Sequence, residues 1–456
     1  MTATPVTVVG GGITGMAAAW ELVNRGAAVT LVESSSRLGG KIVGGQIGGR
    51  WVDLGPDAFL ARLPDAVQLC QELGLGRELV GAATESASLW SGGRLRRLPR
   101  GTVLGVPAGL RGLRAVAGSG ILSPAGVARA ALDLVLPRRD LGKDPSVGDL
   151  VTARLGRQVH DRLVGPLVGG IHAGATGRLS AVAVTPQLVA AAGAHRSLVV
   201  GLRRQREAAA RSSSAGNPAA RAATFVSIFG GMSRLVTRLE EELRAAGVVI
   251  ELGTPIDRLP AGRGITILTT PAPVTSALLA EVSPTAATEL AQIEHASVVL
   301  TIMRYPLSAF PGGTAPNGSG FLVPRREGLL MTACSFASSK WPHWGAPSEV
   351  VLRVSAGRWG DERAMDFGDA ELVARLHREL ARALGLRGEP LETRVTRWPA
   401  AFPQYTPGHL ARVEHIEAAL ASDCPEVLAT GAAFRGVGIP ACIAQGRAAA
   451  RRALGP

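Results

Sequence analysis

Apolar residues near the start of the chain change from the spacing of a strand to that of a helix and back again. Residues 6–9 form a β-branched run, and residues 14–25 then carry apolar side chains at helical spacing. Gly26 follows, at a position where a helix C-terminus favours glycine. Residues 28–32 form a second apolar run that leads into Glu33. This order predicts the beginning of a doubly wound α/β sheet.

The same two spacings recur later in the chain. Apolar β-branched runs predict strands at 248–251, 265–269, 298–303, 350–354 and 427–430. Helical spacing predicts helices at 231–243, at 370–384 and after residue 439. We therefore predict an α/β fold class: a discontinuous Rossmann-like FAD/NAD(P)-binding domain, a mixed α+β substrate domain and a helical inserted domain.

Changes in composition and Gly/Pro breaks suggest where these domains begin and end. We assign residues 1–84, 220–285 and 390–456 to the dinucleotide-binding domain, 85–202 to the helical inserted domain and 286–389 to the substrate-binding domain. Residues 203–219 are polar, rich in arginine and poor in bulky apolar side chains. They are therefore predicted to form a flexible surface loop.

Three glycines, Gly10, Gly12 and Gly15, lie between the first strand and the first helix. In a dinucleotide-binding unit the first permits a tight turn, the second lets the backbone approach a pyrophosphate, and the third allows close packing of helix and strand. The helix N-terminus also favours the negative charge of the phosphates. Glu33 follows Gly15 by eighteen positions. Its carboxylate can accept from both ribose hydroxyls there, which favours FAD or NAD over NADP.

Two later segments favour FAD over NAD. Residues 37–41 (RLGGK) follow Glu33 directly, and a Gly55-Pro56-Asp57 turn comes after a predicted strand. These segments would lay more backbone along the ligand, which suits a long and permanently held FAD. Residues 431–440 open the last helix. Its N-terminus would lie near the flavin ring and stabilise negative charge on the reduced form.

The net charge of +13 is large, but its distribution along the chain does not identify a partner. Lys41, Lys143 and Lys340 are the only lysines, so arginines spread over the whole chain carry almost all of the positive charge. Such a distribution does not form a docking stripe, and we expect no nucleic-acid partner. Anionic substrates remain compatible with it.

The four cysteines lie far apart in the sequence and form no CxxC pair. This spacing predicts no metal site and no disulfide framework, and it fits a reducing compartment. No apolar run reaches the roughly 18 residues that a spanning helix needs, and the first residues lead straight into a strand. We therefore expect a cytoplasmic protein without a cleaved signal peptide, and peripheral membrane contact is left open.

Longer stretches resemble a known family. VVGGGITGMAAAWEL, LVESSSRLGGKI and DLGPDAFLAR are shared across the amine-oxidase-like flavoprotein superfamily. More specific stretches are GPLVGGIHAGATGRLSA (165–181), AHRSL (194–198), MTACSFASSKWPH (331–343), TRWPAAFPQYTPGH (396–409) and GAAFRGVGIPACIAQGR (431–447). In this order, and over nearly the whole chain, they resemble the bacterial oxygen-dependent coproporphyrinogen III and protoporphyrinogen IX oxidases.

The resemblance implies which residues contact FAD. The positions that match are Gly10, Gly11, Gly12, Ile13, Thr14, Gly15, Glu33, Ser34, Lys41, Gly55, Pro56, Asp57, Ala58, Ile256, Trp398, Val437, Gly438 and Ile439. Trp398 fits an ordinary core aromatic equally well. His172 stands where the family more often has an aromatic residue; it either touches a substrate propionate or acts as a spacer, and we favour the contact.

The resemblance also implies the reaction. The family removes six electrons from a porphyrinogen in three flavin cycles, each ended by molecular oxygen with release of hydrogen peroxide. We name no general base, because the flavin does the chemistry and no catalytic side-chain group stands out; the backbone carbonyl at Gly174 could stabilise positive charge on the macrocycle. Arg62, Arg96 and Arg97 are candidates for holding propionates, although each also fits an ordinary solvated arginine.

Three questions stay open at this point. Coproporphyrinogen III, with four propionates, is favoured over protoporphyrinogen IX, with two, because the chain is rich in arginine and lacks an anchor. A polyamine-oxidase-like or carotenoid-desaturase-like enzyme would share the glycine motif but not the stretches 331–343 and 396–409. A non-enzymatic flavin or porphyrin carrier would bind FAD without producing peroxide. A haem-pathway enzyme that accepts the product would be a further partner, and the sequence does not decide whether there is one.

Overall fold

A computed structural model describes residues 5–137, 139–212, 224–259 and 264–455 of the protein. The strands, numbered in chain order, are β1 Pro5–Val9, β2 Ala28–Val32, β3 Gly44–Ile47, β4 Arg50–Asp53, β5 Phe59–Leu60, β6 Leu79–Gly81, β7 Ala87–Ser91, β8 Arg94–Arg97, β9 Thr102–Val103, β10 Val106–Pro107, β11 Phe225–Ile228, β12 Val249–Glu251, β13 Ile265–Leu268, β14 His295–Pro306, β15 Gly320–Leu322, β16 Met331–Ser335, β17 Glu349–Ala356, β18 Glu392–Pro403 and β19 Val427–Ala429.

The α-helices are numbered in the same way. They are α1 Ile13–Val23, α2 Pro64–Glu72, α3 Gly109–Gly118, α4 Pro124–Ala131, α5 Val147–Leu155, α6 Arg157–Val159, α7 Gly165–His172, α8 Ala181–Val184, α9 Pro186–Ala194, α10 Leu198–Ser212, α11 Ser233–Ala245, α12 Ala272–Leu279, α13 Pro284–Ala291, α14 Ala337–Lys340, α15 Arg363–Asp366, α16 Asp369–Leu384, α17 His409–Asp423 and α18 Ile439–Leu454. One π-helical turn, His160–Val164, leads into α7.

The chain divides into two compact units. Unit 1 comprises Met1–Ala82, Ala222–Glu294 and Leu410–Pro456, and unit 2 comprises Ala83–Arg221 and His295–His409. Each unit is built from segments that are distant in the sequence.

Unit 1 contains a five-stranded parallel sheet in the order β12-β2-β1-β13-β19. β2 and β12 are added on one side of β1. The chain then crosses over, and β13 and β19 are added on the other side. The strand order therefore reverses between β1 and β13, and ligands of open α/β sheets bind at the carboxyl ends of strands at such a switch point. The α/β class and its initial β–α–β unit are confirmed.

Small residues allow α1 and α18 to pack closely in unit 1. Ala17, Ala18 and Ala19 of α1 are fully buried. A Cβ atom at Gly446 of α18 would lie 2.2 Å from the carbonyl oxygen of Thr14, so only glycine fits this contact. Together with the buried side chains of β1, β2 and α11, these helices form a continuous apolar core behind the glycine turn.

Unit 2 contains a seven-stranded sheet in the order β18-β14-β17-β16-β15-β7-β8. Its pairs are antiparallel except for β15 and β7, which run parallel. One face packs on α16 through Leu372, Leu376 and Leu380, which are fully buried. A second apolar core lies among the helices between α3 and α10.

The domain boundaries and the surface loop differ from the prediction. β18 belongs to the seven-stranded sheet of unit 2, whereas we assigned residues 390–403 to the dinucleotide-binding domain. β7 and β8 join that sheet too, although they lie in the segment predicted as helical. Residues 203–212 continue α10, so the loop prediction is wrong for them, because Leu198, Val199 and Leu202 anchor the start of that helix in the core. Residues 213–219 lie outside the described residues.

Among the described residues, none of the helices combines the length and the apolar character needed to cross a membrane.

Candidate functional site

The glycine turn after β1 has the conformation that a phosphate cradle requires. Gly10 has a φ of 104°, a region that glycine adopts at no steric cost. A Cβ atom at Gly15 would lie 1.9 Å from the carbonyl oxygen of Gly10, so the helix could not approach the strand with any side chain there. Gly12 caps α1, and an added Cβ at Gly12 would meet no protein atom within 4 Å. Open space therefore lies in front of the helix N-terminus.

No side chain caps the N-terminus of α1. The first N–H groups of a helix have no partner within the helix and bind anions well, as the pyrophosphate of a dinucleotide does in this fold. The turn is held from the neighbouring strand, because Oγ1 of Thr269 lies 3.0 Å and 2.9 Å from the carbonyl oxygens of Val9 and Gly10. The cradle therefore sits at the switch point between β1 and β13, and its residues fit FAD.

Glu33 is fixed at the carboxyl end of β2. Its Oε2 accepts a hydrogen bond of 2.6 Å from the N–H of Gly11, and its Oε1 accepts one of 2.8 Å from the N–H of Ser35. The Ser34 hydroxyl lies 3.2 Å from the same Oε1. The carboxylate is half-buried and keeps acceptor capacity for ribose hydroxyls, since two oxygens offer about four lone pairs. The predicted role of Glu33 fits this geometry.

Residues 37–41 lie against the glycine turn. The N–H of Gly39 donates to the carbonyl of Gly11 at 2.8 Å, and Gly12 and Gly39 form a parallel bridge. Arg37 closes this segment by donating to the carbonyls of Leu38 and Gly40. The Lys41 side chain is exposed, yet the protein around its ammonium lowers its pKa. The predicted contact of Lys41 with FAD stays a prediction.

The last helix of unit 1 also presents a free N-terminus. Gly438 caps α18 without a side-chain hydrogen bond, and Pro440 lies in the first turn, where proline is well tolerated. Gly436, with a φ of 133°, leads into this turn. Val437 is half-buried, and Ile439 is buried at the start of α18. This geometry is compatible with the predicted flavin-ring contacts at Val437, Gly438 and Ile439, which stay predictions.

The remaining predicted contacts of unit 1 lie in two segments. Gly55 is buried, and Pro56, Asp57 and Ala58 are half-buried in the connection between β4 and β5. Ile256 is half-buried shortly after β12. The segment before it is tied to β2, because the N–H of Thr254 donates to the carbonyl of Glu33 at 3.0 Å. The structure thus brings the Ile256 segment beside the Glu33 end of the cradle.

The turn after α7 in unit 2 contains His172, Ala173 and Gly174, and two distant segments hold its backbone. Ala173 has a φ of 46°, which is rare for a residue with a side chain. The His172 carbonyl accepts from Nε2 of Gln404 at 3.0 Å, and the Ala173 carbonyl accepts from the N–H of Trp359 at 2.7 Å. Such a strained and heavily supported turn marks a candidate functional site.

The same contacts limit two of the predictions for this turn. The Gly174 carbonyl oxygen would lie 2.9 Å from a Cβ atom at Gly169 of α7, so it is directed toward that helix, and the carbonyl prediction gains no support. His172 is 9% exposed, and its burial lowers the pKa of its imidazole to about 4. The ring is therefore neutral at pH 7 and offers no charge to a propionate. Both roles stay predictions.

The three arginines named as propionate candidates belong to two different units. Arg62 is exposed and lies in unit 1, whereas Arg96 and Arg97 belong to the edge strand β8 of unit 2. Neighbouring residues of a strand point to opposite faces, so Arg96 and Arg97 cannot bind one carboxylate together. The Arg96 guanidinium packs on Gly120, where an added Cβ would lie 2.4 Å from its Nη1. Arg97 is exposed.

Trp398 lies in β18 of unit 2, opposite Val298 of β14. It is half-buried and packs on a small apolar cluster that contains Ala173, Ala296, Val298 and Ala401. Its predicted contact with FAD therefore stays a prediction, and this packing also fits the alternative interpretation as a core aromatic.

Sequence reasoning missed several residues that shape these sites. Thr269 and Gly446 support the cradle, and Gln404 supports the turn after α7. Gly446 and Gln404 lie inside stretches that we singled out, but nothing in their local pattern indicates the contact. The signal lies in partners that are distant in sequence, such as Thr14 for Gly446 and His172 for Gln404.

Comparisons with known proteins agree with this arrangement. The chain is 34% identical over 473 residues to the coproporphyrinogen III oxidase of Bacillus subtilis, covering 98% of this chain and 97% of that protein. It is 30% identical over 491 residues to the protoporphyrinogen oxidase of Bos taurus, covering 99% and 98%. A crystal structure from Exiguobacterium sp., classed with the protoporphyrinogen oxidases, matches with a TM-score of 0.86 at 29% identity over 99% of this chain and 98% of that one.

The switch-point sheet, the glycine cradle and the anchored acid define a dinucleotide-binding protein of the flavoprotein type. The family of flavin containing amine oxidoreductases matches residues 13–454, and the chain belongs to that family. FAD is its cofactor, and the protein is an FAD-dependent oxidoreductase, as the sequence predicted.

Proposed function

We propose that this protein oxidises coproporphyrinogen III to coproporphyrin III with molecular oxygen as the acceptor, in the cytoplasm and as a step of haem biosynthesis. The observation that supports this proposal most directly is the similarity to the Bacillus subtilis coproporphyrinogen III oxidase, which is 34% identical over nearly the full length of both chains. The oxidation removes six electrons and six hydrogens, so three molecules of oxygen become three of hydrogen peroxide. Bound FAD supplies the two-electron acceptor for each of the three cycles.

The chain's own residues would bind and orient the reactants. In unit 1 the N–H groups at the start of α1 would hold the pyrophosphate, and Glu33 would accept from the ribose hydroxyls. In unit 2 the rigid turn at His172, Ala173 and Gly174 would contact the macrocycle. Positioning of this kind supplies much of the catalysis when the cofactor carries the chemistry. A downstream haem-pathway enzyme would accept the product.

The test is aerobic oxidation of coproporphyrinogen III and protoporphyrinogen IX by the purified yellow protein, followed by porphyrin fluorescence and by peroxide. We expect faster turnover of the tetra-acid, three peroxides for each porphyrin and no enzymatic product without oxygen. The control is the same protein stripped of FAD, which corrects for spontaneous oxidation.

Faster turnover of the di-acid would instead assign the protein to protoporphyrinogen IX oxidation, the activity named for the bovine relative. Oxidation of neither porphyrinogen, in a protein that holds FAD, would overturn the proposed function and leave the family assignment intact.

A further inference from the structure

A group of arginines in unit 2 surrounds Trp359, next to the turn after α7. Arg358 and Trp359 follow β17, Arg325 follows β15, and Arg178 follows the turn itself. The Arg178 guanidinium carbon lies 4.2 Å from the centre of the Trp359 ring. Nη2 of Arg325 donates to the Trp359 carbonyl at 2.8 Å. Because the Trp359 N–H donates to Ala173, these arginines are fixed relative to that turn.

Arg358 is the unusual member of this group. It is 8% exposed, and its Nε is buried without a hydrogen-bond partner. The carboxylate of Asp361 is 3.8 Å from its Nη2, which is beyond hydrogen-bond distance. Buried guanidinium groups are normally paired with a carboxylate or phosphate, because desolvation of an unpaired cation is costly.

The carboxylate of Asp361 already accepts hydrogen bonds from another arginine. Its two oxygens accept from Nε and Nη2 of Arg363 at 2.7 Å and 2.9 Å, in a bidentate pair. Arg363 holds the pKa of Asp361 below its usual value, so this carboxylate is ionised. The three arginines Arg325, Arg358 and Arg363 thus surround one carboxylate, and Glu362, the next acid in sequence, is exposed. Burial and the positive charge of Arg325 lower the pKa of Arg358.

We infer that Arg358, assisted by Arg325 and Arg178, binds a carboxylate of the substrate, and under the proposed function this is a propionate of the porphyrinogen. A propionate would supply a hydrogen-bond acceptor to this guanidinium, whose buried Nε has none and whose Nη2 faces Asp361 only at 3.8 Å. The planar fork of arginine matches a carboxylate in two parallel bonds. Trp359 would present its ring beside the same ligand, and aromatic rings pack well on the flat pyrrole rings of a porphyrinogen. This inference rests on the proposed function.

The proposed contact between Arg358 and a substrate carboxylate can be tested by measuring binding, separately from turnover. The probes are coproporphyrin III and its tetramethyl ester, which has the same macrocycle but no charge. Wild-type protein is expected to bind the acid more tightly than the ester, as measured by quenching of flavin or tryptophan fluorescence. Arg358→Gln is expected to weaken binding of the acid roughly 10-fold to 100-fold, the worth of a hydrogen bond to a charged group, and to leave the ester nearly unchanged. Arg358→Lys should bind the acid with an affinity between those of the wild type and of Arg358→Gln.

A matched control is Arg375→Gln. Arg375 lies on α16 of the same unit, where it is exposed and paired with Glu371 at 2.7 Å, so its loss should change neither probe. Thermal midpoints and FAD content show whether each variant folds. If Arg358→Gln misfolds, Arg325→Gln and Arg358→Lys provide the same comparison of acid with ester.

The outcomes separate the two claims. Equal loss of acid and ester binding in Arg358→Gln, or no loss of either, would overturn the inference, while oxidation of coproporphyrinogen III by the wild type would leave the proposed function standing. Wild-type protein that neither oxidises coproporphyrinogen III nor distinguishes the acid from the ester would overturn both. Selective loss of acid binding supports the carboxylate site.

Discussion

The cofactor cradle of unit 1 and the turn after α7 in unit 2 are built in opposite ways. The cradle is made of backbone: three glycines within six residues, one helix N-terminus and one acid at the end of the next strand. The turn after α7 depends on distant segments: the Gln404 side chain and the Trp359 N–H bond to it directly, and the Arg325 side chain holds Trp359 in turn. The comparison teaches that a site formed by the backbone of one continuous segment can be inferred from local residue spacing. A site formed by residues that are distant in the sequence cannot be inferred in this way.

The largest effect on cofactor binding, and the most direct test of this comparison, is expected at Gly15. Gly15→Ala would place a methyl group 1.9 Å from the Gly10 carbonyl and force α1 away from β1. We expect at least about a 100-fold loss of FAD affinity, corresponding to about 3 kcal/mol, because overpacking of a rigid contact is costly. The measurement is the flavin-to-protein absorbance ratio after purification, together with titration of the stripped protein with FAD.

Two matched glycines sharpen this result. Gly12→Ala meets no protein atom, so it should leave the thermal midpoint of the stripped protein unchanged and weaken FAD binding alone. Gly118→Ala, at the end of α3 in unit 2, also meets nothing and should change neither quantity. A Gly15→Ala protein that retains full FAD would contradict the assignment of the cradle.

The second effect concerns the buried charges of unit 2. Asp133 is fully buried, and its carboxylate accepts from Nε of Arg154 at 2.8 Å, the Ser197 hydroxyl at 2.7 Å and the N–H of Val199 at 3.0 Å. Asp133→Ala leaves the Arg154 cation buried without its partner. We expect a loss of about 3–5 kcal/mol in the free energy of unfolding, measured by urea denaturation.

The comparison for Asp133 is an exposed pair of the same unit. Removing the Arg375–Glu371 pair by Arg375→Ala should cost at most about 0.5 kcal/mol, because exposed pairs in a helix contribute little. If both variants lose the same stability, burial does not decide the contribution of these charges.

The third effect is a pH dependence that depends on His172. Its pKa is lowered to about 4 in the folded protein, against 6.5 in the unfolded chain, so the unfolded state binds more protons between these values. Stability should therefore be lost as the pH falls from 6.5 to 4, by up to about 3 kcal/mol from this residue. His172→Gln should flatten the fall in thermal midpoint over this window. An identical pH profile in the variant would show that the ring is accessible to protons in the folded state.

The smallest effect is expected at Glu33. Glu33→Gln keeps one acceptor oxygen but removes the charge that accepts from the Gly11 N–H and that would accept from the ribose hydroxyls. We expect FAD affinity to fall roughly 10-fold, or about 1.4 kcal/mol, measured by titration of the stripped protein. Glu251→Gln, an exposed change on the neighbouring strand β12, is the control. A loss at Glu33 as large as that at Gly15 would mean that the acid also supports the fold.

The sequence alone was sufficient for the first β–α–β unit and its ligand. The bounds of β1, α1 and β2 agree with the apolar spacing within two residues at each end, because period and glycine placement are local properties. The stretch 203–219 shows the limit: its polar composition predicted a loop, but helix α10 continues through residue 212. Its first turn is anchored by buried side chains, and composition does not reveal such an anchor.

What the sequence determined by itself is the dinucleotide cradle, since Gly10, Gly12, Gly15 and Glu33 act within one continuous segment of β1, α1 and β2. Tertiary structure alone decided that β18 completes the sheet of unit 2, that Gly446 meets Thr14, and that the Nε of Arg358 is buried without an acceptor. The physical reason is that hydrophobic spacing specifies which face of an element is buried, whereas the partner on that face depends on the packing of segments up to hundreds of residues apart.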